Sequence, residues 1–221
     1  MWPERLSSLR PPDKLVDLAI AASLGSWAVG AAFGLGQGDA PPWQGRLAMA
    51  SVHAVAAWLF ATRSPAREAG PWRSLLLASP SLLISGLAFR FGAGRLEGAS
   101  LAAFVVGAVG TCASLLTLGR SFAIFAARRE LVARGPYAIV RHPAYACELV
   151  MVLATVVAGA SLDASDRVLG MPRVALAIAL AASALGSIVL RAREEERFLA
   201  GDPHYVAYAK RVRFRLVPFV W

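Results

Sequence analysis

The sequence predicts an all-α integral membrane protein with about six transmembrane helices, a polar cytoplasmic loop and a helical C-terminal tail. Of its 221 residues, 57% are hydrophobic, and the mean hydropathy is +0.55. Charged residues make up 17% of the chain, whereas a soluble domain carries about 25%. The apolar residues also form blocks of membrane-spanning length. Together these observations favour a membrane protein over a soluble one.

Six apolar segments are candidate membrane spans. The second and third have only about 16 residues each, below the roughly 20 that an untilted helix needs. A re-entrant path for one of these two is therefore the alternative, and Pro80 is expected to break the third. The candidate spans are residues 15–35, 47–62, 74–89, 99–118, 144–162 and 174–190.

Positive residues are distributed unevenly between the loops that join these spans. With the N-terminus inside, the cytoplasmic segments hold 18 of the 23 Lys and Arg residues. Because positive residues accumulate in cytoplasmic loops, we expect both termini to lie in the cytoplasm. The first apolar segment is too long for the core of a cleaved signal peptide, so we expect it to be retained. The Ala-, Arg- and Leu-rich composition is typical of bacterial proteins and favours the bacterial inner membrane.

The net charge of +9 does not require a nucleic-acid partner. In a membrane protein the same excess is expected of cytoplasmic loops beside anionic lipids. Cys112 and Cys147 lie in apolar segments, without the spacing of a metal site or a disulfide framework. We therefore expect membrane lipids as partners, with no nucleic acid and no metal, and the oligomeric state stays open.

The longest polar segment between spans, residues 118–145, has the features of a ligand-binding loop. Its Gly-Pro-Tyr sequence at residues 135–137 is typical of a turn, because Gly tolerates positive φ and Pro fixes its own φ. The following RHPAY motif starts a helix, with His142 and Tyr145 on one face. Glu148 continues that face, and a carboxylate inside a span is a functional candidate. Interfacial anchoring by the same residues is the alternative interpretation.

The C-terminal tail, residues 191–221, is the second unusual polar segment. It begins with the charged run RAREEERFL, in which Arg191 and Glu195 lie four residues apart on one helical face. A proline then interrupts the helix, and Tyr205 and Tyr208 share one face of the helix that resumes. Taken alone, this pattern is equally typical of a solvated helix beside the membrane.

The loop and the tail together resemble the isoprenylcysteine carboxyl methyltransferases and their bacterial relatives. The shared pattern is GPYxxxRHPxY after a polar loop, then two spans, then RxREEExxL and YxxYxxxV in the tail. More broadly, it is similar to the membrane methyltransferases that include phospholipid N-methyltransferases. The resemblance covers residues 118–218, whereas residues 1–100 carry no recognisable motif. The segment between the two tail motifs is shorter than in eukaryotic members, which implies a smaller or differently shaped acceptor pocket.

The resemblance implies a methyltransferase that binds S-adenosylmethionine on the cytoplasmic side, between the loop and the tail. It places Arg191 against the acceptor carboxylate, and Glu195 suits the ammonium group of the cofactor. By motif, the cofactor-binding residues are Arg129, Glu130, Leu131, Val132, Tyr137, His142, Pro143, Ala144, Tyr145 and Glu195.

Several functions are compatible with these residues. The first is methyl transfer to a lipophilic carboxylate such as an isoprenylcysteine, which is ionised near pH 7 and needs no general base. The second is transfer to a phospholipid amine or a small thiol, and an amine would need Glu194 or Glu148 as a base. A nicotinamide-dependent reductase on a related scaffold, or a non-catalytic membrane protein, is the third. We expect the first, with residues 1–98 forming three N-terminal transmembrane helices and residues 99–221 forming the methyltransferase core.

Overall fold

The computed structural model describes residues 13–35, 40–64, 68–69, 72–123, 127–128, 130–163 and 165–221. One predicted cofactor-binding residue, Arg129, lies outside the described residues. The described part of the chain is mostly helical, which confirms the all-α class of the prediction.

Seven α-helices make up most of the described residues. They are α1 (Asp13–Phe33), α2 (Trp43–Thr62), α3 (Trp72–Gly92), α4 (Gly98–Leu118), α5 (Pro143–Gly159), α6 (Arg173–Leu199) and α7 (Pro203–Arg211). The segments between the helices also contain two pairs of short antiparallel strands. β1 (Glu68–Ala69) pairs with β2 (Ala127–Arg128), and β3 (Arg167–Val168) pairs with β4 (Met171–Pro172).

Three helices of the described residues are long and apolar enough to cross a membrane. They cover Lys14–Phe33, Gly98–Ser121 and Arg173–Leu199. A fourth apolar helix, α5, is shorter, with 17 residues. These helices support an integral membrane protein, whereas the count of six spans and the orientation of the termini stay predictions.

The prediction that Pro80 breaks the third span is wrong, because α3 is continuous through it. Proline lacks a backbone N–H, which leaves the carbonyl of Leu76 without its helical donor. Ser79 Oγ donates a 3.2 Å hydrogen bond to Leu76 O and so replaces that donor. Hydroxyl side chains satisfy freed carbonyls in this way in membrane helices. With 20 and 21 residues, α2 and α3 are also longer than the sequence suggested.

The helices pack in a connected series that begins with α1 on α2, α2 on α4 and α4 on α5, while α3 packs against both α5 and α6. Two glycines allow α5 to approach its neighbours closely. A Cβ at Gly107 of α4 would lie 2.7 Å from Met151 Cγ, and a Cβ at Gly92 of α3 would overlap the carbonyl oxygen of Thr155. The predicted division at residues 98 and 99 stays a prediction, and α3 packs on helices from the other side of it.

The C-terminal segment returns to the start of α5. The backbone N–H of Arg141 donates to Phe214 O, and that of His142 donates to Arg215 O, both at 2.9 Å. These bonds hold the tail directly against the RHPAY motif. The two polar segments that the sequence analysis identified are therefore adjacent in the fold.

Candidate functional site

A cavity of about 1110 Å³ extends along the helices and has residues from all seven of them in its wall. Polar residues of the loop and the tail line one end, and α1 and α3 contribute mainly apolar side chains to the rest of the wall. Trp27 and Leu83 in that wall are 65% and 68% exposed, so the apolar part reaches the outer surface of the helices. Pockets for one small ligand occupy about 300–1,000 Å³, and this cavity has room for more than one molecule.

Glu195 projects from α6 into the polar end. Its Oε2 accepts a 2.6 Å hydrogen bond from Tyr145 Oη and lies 3.7 Å from His142 Nδ1. The rings of His142 and Tyr145 are stacked, with centroids 5.2 Å apart and planes inclined by 1°. The Glu195 side chain is 29% exposed, so part of the carboxylate remains accessible. A carboxylate beside aromatic faces suits a cationic ligand group.

Glu196, the next residue, holds the loop and the tail together. Its Oε1 lies 3.2 Å from both His142 Nε2 and Arg141 Nε, and its Oε2 accepts a 2.7 Å hydrogen bond from Arg215 Nε. The side chains of Glu196, Arg141 and His142 are each at most 10% exposed. This carboxylate therefore connects α6 with the loop and with the C-terminal segment.

Three tyrosines complete the polar end. Tyr208 Oη donates a 2.7 Å hydrogen bond to Tyr137 O, next to the turn in which Gly135 adopts a φ of +57°. Burial raises the pKa of Tyr208 to about 12 and that of Tyr137 well above its usual value, so both phenols stay protonated. Tyr205 lines the cavity, and its buried hydroxyl lacks a hydrogen-bond partner within the described residues. Buried polar atoms are normally paired, so this hydroxyl indicates a place for a ligand.

Arg191 lies deeper, where α3, α5 and α6 meet. Its Nη1 donates a 3.2 Å hydrogen bond to Ser81 Oγ and lies 3.7 Å from Glu148 Oε2. Ser85 Oγ donates a 2.9 Å hydrogen bond to Glu148 Oε1. The guanidinium carbon also lies 4.5 Å from the centroid of the Tyr145 ring. Tyr145 therefore contacts both Arg191 and Glu195.

The structure brings most of the predicted cofactor-binding residues together. Eight of the ten line the cavity, while Pro143 is buried in the first turn of α5 and Arg129 is not described. The eight are Glu130, Leu131, Val132, Tyr137, His142, Ala144, Tyr145 and Glu195.

The two predicted catalytic residues are placed differently from one another. Arg191 lines the cavity, as expected of a residue that meets the acceptor. Glu194 is buried outside the described lining, and its Oε2 accepts a 2.5 Å hydrogen bond from Arg197 Nη1. This placement does not support Glu194 as the base for an amine acceptor.

Several cavity residues were not predicted as site residues. On α3, Ser85 lines the cavity, and Ser81 bonds to Arg191 beside it. Their spacing of four residues in an apolar span was the available signal. Tyr205 of the tail and His53 of α2 also line the cavity, and for His53 the sequence offered only a histidine inside a span.

The model of the isoprenylcysteine carboxyl methyltransferase (ICMT) family matches residues 100–201. Residues 100–201 belong to the ICMT family. The chain has no match among curated proteins. The match confirms the resemblance over these residues and supports a membrane methyltransferase.

The ICMT match includes α4, the loop, α5 and α6, and therefore both Arg191 and Glu195. Two features of the cavity lie outside it. The tyrosines of α7 follow the matched segment, and a large part of the apolar wall comes from α1, α2 and α3, which precede it. The cavity therefore includes residues of the N-terminal helices and of the C-terminal tail that lie outside the matched segment.

Proposed function

We propose that this protein is an S-adenosylmethionine-dependent membrane methyltransferase acting on a lipophilic acceptor, with the carboxylate of an isoprenylcysteine-like molecule as the first candidate. The observation that carries the proposal is the placement of Glu195 and Arg191 in one cavity, where both contact Tyr145. Glu195 suits a cation, and Arg191 suits an anion. A methyl transfer from a cationic donor to a carboxylate needs this pair.

The residues at the polar end fit the cofactor. S-adenosylmethionine would supply a methyl group activated by a positively charged sulfur. Glu195 is suited to the ammonium of its methionine part, and Tyr137 and Tyr145 offer aromatic surfaces for adenine or the sulfonium. The hydroxyl of Tyr205, which has no hydrogen-bond partner within the described residues, adds a polar group to the same cavity.

The apolar part of the cavity supports a lipophilic acceptor. Its lining by α1 and α3 reaches the outer surface of the helices, where a lipid-like molecule can contact apolar side chains. Arg191 lines the same cavity as Glu195, so it is suited to orient an acceptor carboxylate toward the cofactor. Alignment of the two reactants is the main task of such an enzyme, because a carboxylate is already a competent nucleophile.

A second candidate is methyl transfer to a phospholipid amine, and Glu148 is the observation that favours it. This carboxylate lines the cavity beside Arg191 and is suited to take a proton from an amine. Purified protein should be tested for transfer of a labelled methyl group to an isoprenylcysteine analogue and to phosphatidylethanolamine. Label in the first supports a carboxylate acceptor, and label in the second supports an amine. The absence of cofactor binding in calorimetry would contradict both.

Substitutions of Glu195 and of Arg191 should have different effects on cofactor binding and turnover. We expect Glu195→Ala to abolish cofactor binding, because it removes the carboxylate offered to the ammonium. Arg191→Ala should leave cofactor affinity within a few-fold of the wild type and lose turnover. Calorimetric titration with S-adenosylmethionine and a methyl-transfer assay measure the two effects, and an equal loss of cofactor binding in both variants would contradict this division of roles.

A further inference from the structure

We propose that Glu148, held by Ser85, determines acceptor specificity by balancing the charge of Arg191 whenever no acceptor carboxylate is bound. The inference rests on the proposed function and extends it to a residue outside the cofactor end. It assigns Glu148 the role of an exchangeable counter-ion, which leaves Arg191 when an acid binds and returns when the neutral product forms.

The geometry of Glu148 suits such an exchange. Its Oε2 lies 3.7 Å from Arg191 Nη1, which is longer than the 2.7–2.9 Å of a close charge-assisted hydrogen bond. Its other oxygen is held by Ser85 Oγ at 2.9 Å, so Glu148 has a partner independent of the arginine. The side chain of Arg191 is 7% exposed and that of Glu148 is 23% exposed. The buried cation therefore has a loosely engaged anion that borders the acceptor cavity.

The chemistry explains why a weak counter-ion is useful. An acceptor oxygen forms a bond to the methyl carbon while the carbon–sulfur bond breaks and its electron pair stays on sulfur. The carboxylate becomes a neutral ester, the sulfonium becomes a neutral thioether, and no proton moves. Since the acceptor loses its charge, a strong bond from Arg191 would stabilise the bound acid more than the transition state and slow the reaction. Glu148 weakens that hold before the reaction and neutralises Arg191 after it.

Glu148→Gln should therefore change binding and turnover in opposite senses. Without the competing anion, a carboxylate acceptor should bind at least tenfold more tightly, so KM falls. The chemical step should slow at the same time, so kcat falls, and kcat/KM should change less than either parameter. This pattern is expected when an interaction that weakens ground-state binding is removed.

The test compares an isoprenylcysteine analogue with its carboxamide, which has the same shape and no charge. Equilibrium affinities of both are measured for the wild type, Glu148→Gln and Glu148→Asp. We expect the preference for the acid over the amide to rise at least tenfold in Glu148→Gln and to stay near the wild-type value in Glu148→Asp. Asp163→Asn, at an exposed position in the segment between α5 and α6, is the control for loss of one carboxylate and should leave the preference unchanged.

Cofactor titration of each variant shows whether the site is intact. If Glu148→Gln does not fold, Ser85→Ala serves instead, and the preference for the acid should rise about threefold because its counter-ion is less well held. An unchanged acid preference in the folded variant overturns the inference. A loss of methyl transfer to phosphatidylethanolamine in Glu148→Gln, with acid binding unchanged, would identify Glu148 as a base instead. If the wild-type protein binds the cofactor but methylates no carboxylate, the acceptor proposed above fails independently of Glu148.

Discussion

Neutralising Glu196 should release the tail from the loop, and the expected size of the effect follows from its three partners. Arg141 and His142 approach its Oε1 at 3.2 Å with side chains that are 10% and 6% exposed. Removing one member of a buried ion pair costs about 3–5 kcal/mol, because the remaining charge stays buried. Arg215 adds less, since its side chain is 34% exposed and solvent screens it. We expect Glu196→Gln to destabilise the docked tail by about 3 kcal/mol.

Two measurements check this expectation. Cofactor affinity should fall at least tenfold in Glu196→Gln, because Tyr205 and Tyr208 reach the cavity only with the tail in place. The midpoint of thermal unfolding in detergent should also fall. Arg215→Gln is the matched variant, and its effect should be below about 1 kcal/mol because Glu196 keeps its two buried partners. Equal losses in the two variants, or wild-type cofactor affinity in Glu196→Gln, would refute the reasoning.

Two further predictions concern the scaffold. Gly92→Ala should lower stability by about 3 kcal/mol, because its Cβ would overlap a backbone oxygen of Thr155 and overpacking at a rigid contact is costly; Gly25→Ala, with open space around the new Cβ, should be neutral or slightly stabilising in the same thermal assay. For the orientation, single cysteines at Ser165 and Gly201 in a background without native cysteines should differ in whole cells. An impermeant thiol reagent should label the first directly and the second only after lysis, and the reverse order would contradict cytoplasmic termini.

The contact between loop and tail was predictable, whereas the direction in which Glu194 faces was not. The family pattern placed the RHPAY motif and the EEE run in one site, and the structure joins them through Glu195 and Glu196. Within that run, each step along the helix rotates the side chain by about 100°. The sequence alone does not set the angle of α6, so it did not show that Glu194 bonds to Arg197 while Glu195 lines the cavity. A catalytic role for Glu194 stays a prediction.

The contribution of α3 was hidden for a different reason. Serines are common among the small residues of membrane helices, where they serve helix packing as often as chemistry. Ser81 meets Arg191 across 110 residues of sequence, and only the packing of α3 against α6 brings them together. The sequence likewise indicated a break at Pro80. It did not show that the Ser79 hydroxyl would bond to the carbonyl that the proline leaves without a donor. Long-range packing and local hydroxyl bonds decide these features.

The charges around Arg191 connect the two ends of the cavity. Arg191 lies near Glu148 and also over the ring of Tyr145, which donates to Glu195. With both carboxylates ionised, these three charged groups carry a net charge of −1, which suits a cofactor with one net positive charge. An acid acceptor would add another negative charge and compete with the existing carboxylates for the arginine. Glu195 is fixed by a 2.6 Å bond to Tyr145, and Glu148, at 3.7 Å from the arginine, is the one positioned to yield.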